Sequence, residues 1–284
     1  MTTRNQQAYS GATRSVADRF NRTKVGKAAR KSGYVTPETA TMWAAYAVTV
    51  LCNLLFEAAR LGGTTSGEVA NLVYVWFMPA GYVFAIWGLI YVALAVWLVS
   101  YTRSAPARPP RFGTVSTLFV ASCALNVAWL AVFHFLQVFV GLFIIAALWV
   151  VMATLYMNVR RTMKTAAGRV PISIYTAWVT VAVVANLTTA ITWALDGGIP
   201  VLNELSLLLL VAGVLVVGYV MYKRFDDLAF PLVILWACIG VGVHAAEASA
   251  LVAFVVFLMC AFGAVITFVP LGRLRAAAAH ARQA

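Results

Sequence analysis

The chain has 284 residues, of which 63% are hydrophobic and 11% charged, and its mean hydropathy is +0.88. A soluble domain is about half apolar and a quarter charged, so this composition excludes a single water-soluble core and requires apolar surface that faces lipid. The net charge of +12 would point to nucleic acid in a soluble protein, but membrane proteins gather Lys and Arg on one side, so their positions decide.

Residues 1–39 are polar and basic, with six Lys or Arg between Arg19 and Lys31. They read as a disordered cytoplasmic tail that sets topology and touches anionic headgroups. The first apolar run begins only near residue 41, too late for the apolar region of a cleaved signal peptide, so no cleavage is expected. A spanning helix needs about 20 mostly apolar residues. Eight such runs lie near 41–60, 80–101, 114–136, 138–159, 171–194, 202–222, 229–245 and 248–270. The seventh is the shortest, and the turn between the third and fourth is confined to Phe135–Gln137. The chain is therefore expected to be an all-α, polytopic integral membrane protein with about eight transmembrane helices.

Charge position supports this count. With the N-terminus inside, all but one of the 21 Lys and Arg residues fall in inner segments, and the exception is Arg60. Seven or nine helices would scramble that alternation. The positive-inside rule thus places both termini in the cytoplasm, and it accounts for the basic charge without nucleic acid; the expected location is the plasma membrane. The long outer connection, 61–79, carries Thr65-Ser66-Gly67-Glu68, a capping box that predicts a short helix lying on the bundle or in the interface. Pro79 ends the apolar stretch that follows.

Polar side chains inside hydrocarbon are costly and mark sites or packing contacts. The candidates are Asn53 and Glu57, four apart on one face of the first run, then Asn126 and His134, Asn186, and Glu204. Interhelical hydrogen bonding is the plainer role for the asparagines, and an interfacial position the plainer one for Glu57, His134 and Glu204. His244 and Glu247 fall in the last outer turn, where solvation is expected. Nine tryptophans exceed what an aromatic belt explains. Trp129 and Trp178 sit deeper and share their helices with Asn126 and Asn186, a pattern that suits a flat apolar ligand. The four cysteines lie in apolar runs without CxxC spacing and read as packing residues, so no disulfide framework or metal site is expected. Walker A, GxSxG and HExxH motifs are absent, and no lysine falls inside an apolar run to form a retinal Schiff base.

The stretch from Pro79 through Gly81, Tyr82, Phe84 and Trp87 to Tyr91 resembles the second helix of the TspO/MBR (translocator protein / tryptophan-rich sensory protein) family, which opens Pro-Gly-Trp-Val-Phe and continues with Trp and, four residues later, Tyr. Asn126, Trp129 and Phe133 resemble the Asn-x-x-Trp-x-x-x-Phe of its third helix. Tyr175, Trp178 and Asn186 resemble the Tyr-x-x-Trp and Asn of its fifth. This chain departs from the pattern in Tyr82 for a tryptophan, in Ala80 between Pro79 and Gly81, in Phe84 lying one residue closer to Trp87, and in Ile174 for a proline. The resemblance covers residues 41 to about 195. The whole chain is similar to the longer branch of the family, in which the 61–79 connection and acidic residues like Asp226-Asp227 recur.

The resemblance implies a TspO-like five-helix core over 40–195, a three-helix extension over 196–270 and a basic cytoplasmic tail over 271–284. It implies a pocket among the five helices, closed by the loop between the first two. Porphyrin-type tetrapyrroles are the implied ligands, with sterols in eukaryotes, and light-dependent porphyrin breakdown occurs in some members. The leading expectation is a binding or sensory protein in which Trp87, Tyr91, Trp129 and Trp178 form aromatic walls, Asn126 and Asn186 supply polar contacts, and Tyr82 and Phe84 edge the lid. No catalytic residue and no resident cofactor are assigned. Two rivals stand: a secondary transporter using Asn53, Glu57 and the extension, and a light-dependent porphyrin-degrading enzyme. The expected partners are the lipid bilayer and a hydrophobic small molecule, with homodimer formation left open.

Overall fold

The structure, a computed structural model, describes residues 36–60, 63–72, 74–104, 112–195 and 200–269. The basic segments 1–35 and 270–284 lie outside the described residues, so the expectations for the two tails are not addressed by it. Every regular element among the described residues is helical. In order they are α1 (Pro37–Glu57), the short α2 (Ser66–Ala70), a 3₁₀ turn (Gly81–Ala85), α3 (Ile86–Ser104), α4 (Thr114–His134), α5 (Val138–Thr162), α6 (Ala166–Ala194), α7 (Pro200–Phe225), α8 (Ala229–Ala245) and α9 (Ala250–Phe268). Helices are what these apolar runs must form in lipid, where each backbone N–H and C=O needs an internal partner.

Local chemistry sets the boundaries. Thr36 and Thr39 form a reciprocal capping box, which starts α1 at Pro37, four residues before the apolar run. Thr165 caps α6 by accepting from the Gly168 N–H, so that helix begins at Ala166 and carries Pro171 inside it. The predicted box at Thr65 and Glu68 is present, but it supports only one turn and a half, and residues 74–80 continue without helix. Glu68 also receives Arg60 at 2.7 Å. Its carboxyl is held below the usual range by the Thr65 backbone N–H and then by Arg60. The α4–α5 turn closes through Leu136, whose φ of 55° lies in the left-handed region.

Among the described residues seven helices are long and apolar enough to cross a membrane, and α8, with 17 residues, is shorter. Its ends decide its role. Asp227 at its start bonds side chains of α5 and α6 at the basic end of the bundle. His244 near its finish stacks on Tyr74 of the far-end connection, ring centroids 4.7 Å apart. A 17-residue helix reaches about 25 Å, so α8 traverses the bundle like its neighbours. The protein is a multi-pass α-helical membrane protein.

The five core helices, α1 and α3–α6, pack through α5–α6, α4–α5, α1–α4 and α3–α6. The extension joins this core mainly through α8, which lies against α6 and the 3₁₀ turn; α7 also touches α6, and α9 packs on α7 and α8. Leucines, valines and phenylalanines such as Leu209, Val216, Phe254 and Phe262 cover the outer surface, as lipid requires.

Two interlocks fix the extension. At the basic end, buried Asp227 accepts from the Tyr156 hydroxyl at 2.7 Å and the Ser173 hydroxyl at 2.6 Å. Its other oxygen caps α8 through the N–H groups of Ala229 and Phe230. Arg160 lies 3.9 Å from it and donates to the Phe225 carbonyl. At the far end, Ala80 N–H donates to the Gly240 carbonyl at 3.1 Å. A Cβ on Gly240 would come within 2.2 Å of Val83 Cγ2, so only glycine admits this approach.

Candidate functional site

The 3₁₀ turn and the first turns of α3 carry Phe84, Trp87 and Tyr91 into the bundle between α4 and α6. Trp87 is the hub. Its ring centroid lies 5.8 Å from Tyr91, 6.3 Å from Trp129, 5.9 Å from Tyr175 and 6.2 Å from Trp178. Phe84 meets Trp178 edge-on at 5.8 Å, and Phe133 stacks on Trp129 at 4.8 Å. The one-turn spacings of Trp87 with Tyr91 and Trp129 with Phe133 place each pair on one helix face. Seven of the aromatic residues singled out from the sequence therefore converge.

Two asparagine contacts brace this cluster. Asn186 Oδ1 accepts from Trp129 Nε1 at 3.2 Å, and its amide donates to the Ala182 carbonyl at 2.8 Å. Asn53 donates to Asn126 Oδ1 at 3.1 Å and to the Thr49 carbonyl at 2.8 Å. Tyr46, which the sequence did not single out, donates to the Tyr91 carbonyl. The pair Asn53–Glu57 divides its work: Asn53 ties α1 to α4, whereas Glu57 accepts from the Ser66 N–H and anchors α2.

Two buried donors in the cluster have no partner. Trp178 Nε1 and the Tyr91 hydroxyl are enclosed without a hydrogen bond, a state that costs about 1–3 kcal/mol for each group. Trp178, Phe84, Trp129, Phe133, Met78 and Pro79 surround a void of about 20 Å³. Beside it lies a second, mostly apolar cavity of about 100 Å³ under α2 and the α4–α5 turn, lined by Val69, Leu72, Leu136 and Trp193 among others. The two share Met78, Phe133 and Asn186.

Not every residue taken from the sequence enters this arrangement. Tyr82 is half exposed and points away from the cluster, its ring edge-on to Trp236 of α8 at 5.7 Å. Gly81 acts through backbone position, against Gly67 of α2, and Pro79, which borders the void, also turns its Cβ toward Gly240. His244, expected in solvent, is buried at 2% exposure because Tyr74 of the connection folds over it; Glu247 beside it remains exposed. His134 is buried too, against Phe56, with Nδ1 on the Leu130 carbonyl. Met78, Gly240 and Trp236 went unnoticed in the sequence, since nothing local to them announces neighbours more than 50 residues away. Among the described residues no cluster of His, Cys, Asp or Glu could hold a metal.

A family model described as TSPO-like protein matches residues 39–269. No curated protein and no solved structure matches the chain. The matched stretch includes nearly all of α1 and every later helix, so the extension lies inside the family's pattern as the five-helix core does. The chain belongs to the TSPO-like protein family.

Proposed function

We propose that this membrane protein binds a flat, hydrophobic, tetrapyrrole-like ligand in the far half of the bundle, beneath the 61–79 connection. The observation that carries the reading is the orphan Trp178 Nε1, buried in an aromatic cluster and bordering a void. A buried donor without a partner is rare in native structures, and a ligand acceptor would satisfy it. The void of about 20 Å³ is far below the roughly 300 Å³ at which ligand pockets begin. Binding therefore requires Met78, Phe84 and Phe133 to turn and merge the two neighbouring cavities. Methionine adapts readily to such repacking. Protoporphyrin titrated into the purified protein is expected to quench its tryptophan fluorescence saturably at one site; quenching that rises linearly without saturation would count against the pocket.

The transporter reading draws less support, because Asn53 ties α1 to α4 and Glu57 is engaged by the Ser66 N–H of the outer connection. The same proposal orients the protein with its basic end in the cytoplasm of the cell whose plasma membrane holds it. Arg103, Arg160, Arg161, Lys164, Arg169, Lys223 and Arg224 gather at that end, against Arg60 alone among the described residues of the other. Single cysteines at Thr65 and Gly197 are expected to react with an impermeant thiol reagent from outside, and those at Ser104 and Thr165 only after lysis. Reaction of Thr65 and Ser104 variants from the same side would refute the topology.

A further inference from the structure

At the basic end, a groove of about 510 Å³ lies between the last turns of α3 and the turn joining α5 to α6. Its size falls within the range of ligand sites. One wall is a single stripe of α3. Val96 and Val99, both facing lipid, lead one turn further to Arg103. The other wall is the 162–167 turn, with Lys164 and the hydroxyl-bearing Thr162 and Thr165.

The cations here differ from their neighbours. Arg160 is committed to Asp227 and the Phe225 carbonyl, and Arg169 to the carbonyls of Met163 and Arg160. Arg103 and Lys164 are exposed and form no ion pair with a described residue. Thr165 also starts the 29-residue α6, whose dipole is positive at this end. Two uncommitted cations, the Thr165 hydroxyl proton and a helix start favour an anion. The valine stripe running from them into the hydrocarbon layer favours an anion attached to a chain.

We propose that this groove holds one anionic glycerophospholipid, with its phosphate between Arg103 and Lys164 and an acyl chain along Val96 and Val99. The site lies at the end of the bundle opposite the tryptophan cluster and is independent of the tetrapyrrole reading.

Native mass spectrometry of the full chain, titrated with phosphatidylglycerol or with phosphatidylcholine of the same chains, tests it. One phosphatidylglycerol is expected to bind in preference to phosphatidylcholine. Arg103→Gln with Lys164→Gln is expected to weaken it roughly 30-fold, a factor of about five for each cation near the surface. The matched pair Arg161→Gln and Arg224→Gln removes the same charge outside the groove and is expected to keep the affinity. Val99→Trp fills the apolar wall with both cations intact and is expected to weaken lipid binding as well. All these positions are exposed or lipid-facing, so unchanged melting temperatures are expected throughout. Equal losses in the two double variants, or equal binding of the two lipids, would overturn the proposal. Displacement of the lipid by millimolar inorganic phosphate, with Val99→Trp silent, would replace the lipid by a free anion.

Discussion

Asp227→Ala is expected to lower the stability of the detergent-purified protein by about 3–5 kcal/mol, the cost of breaking a buried charge pair by removing one partner. Four donors lose their acceptor at once: the Tyr156 and Ser173 hydroxyls and the N–H groups of Ala229 and Phe230. Arg160, largely buried, is left without a carboxylate. Asp227→Asn keeps a cap for α8 and one acceptor for the hydroxyls, and it should fall between the wild type and the alanine variant. Thermal unfolding followed by tryptophan fluorescence reads both. An alanine variant that melts with the wild type would show that the extension is held by apolar packing alone.

Gly240→Ala is expected to be more harmful than any other glycine-to-alanine change at the core–extension contact. A helical glycine exposed to open space gains about 0.5–1 kcal/mol when replaced by alanine. Gly213, with nothing within 4 Å of an added Cβ, should behave that way. At Gly240 the added carbon meets Val83 Cγ2 at 2.2 Å and Pro79 Cβ at 3.5 Å. Relief requires the 3₁₀ turn to move, stretching the bond from Ala80 to the Gly240 carbonyl. Overpacking of this kind costs about 1–3 kcal/mol. The same shift carries Phe84 and Trp87 out of register, so porphyrin affinity should fall along with stability. Opposite signs for the melting-temperature changes of Gly240→Ala and Gly213→Ala are the expected result; equal changes would remove the close approach from the account.

What the sequence made legible follows from which signals are local. Apolar length and the alternation of Lys and Arg specify the helix number, because lipid leaves the backbone no other solution. The Thr65–Glu68 box was readable since both partners lie within one turn. Helix starts at Pro37 and Ala166 were missed, since caps at Thr36 and Thr165 extend both helices past their apolar runs into polar sequence. In the site, Trp87, Trp129 and Trp178 could be grouped from helical spacing and family likeness. Tyr82 could not be placed, because its direction is set by Trp236, 154 positions away. The burial of His244 depends in the same way on Tyr74, which no periodicity links to it. The role of Asp227 is likewise tertiary, since three of its bonding groups come from three different elements.

The central claim is that the tryptophan cluster is a ligand site and not only a packed core, and Trp178 separates the two. Its indole N–H is unpaired within the protein, so Trp178→Phe removes a donor without breaking a bond and should change the melting temperature little. Trp129→Phe, which loses the bond to Asn186, should melt lower than Trp178→Phe, whereas Trp97→Phe, whose indole N–H is likewise buried without a partner at the other end of α3, should melt like Trp178→Phe. A hydrogen bond contributes about 0.5–1.5 kcal/mol net, so protoporphyrin accepting from the indole N–H should bind Trp178→Phe roughly 2- to 13-fold more weakly than the wild type, and Trp97→Phe unchanged. The decisive measurement is the protoporphyrin dissociation constant of Trp178→Phe beside its melting temperature. The account predicts lost affinity at preserved stability; preserved affinity at lowered stability would contradict it.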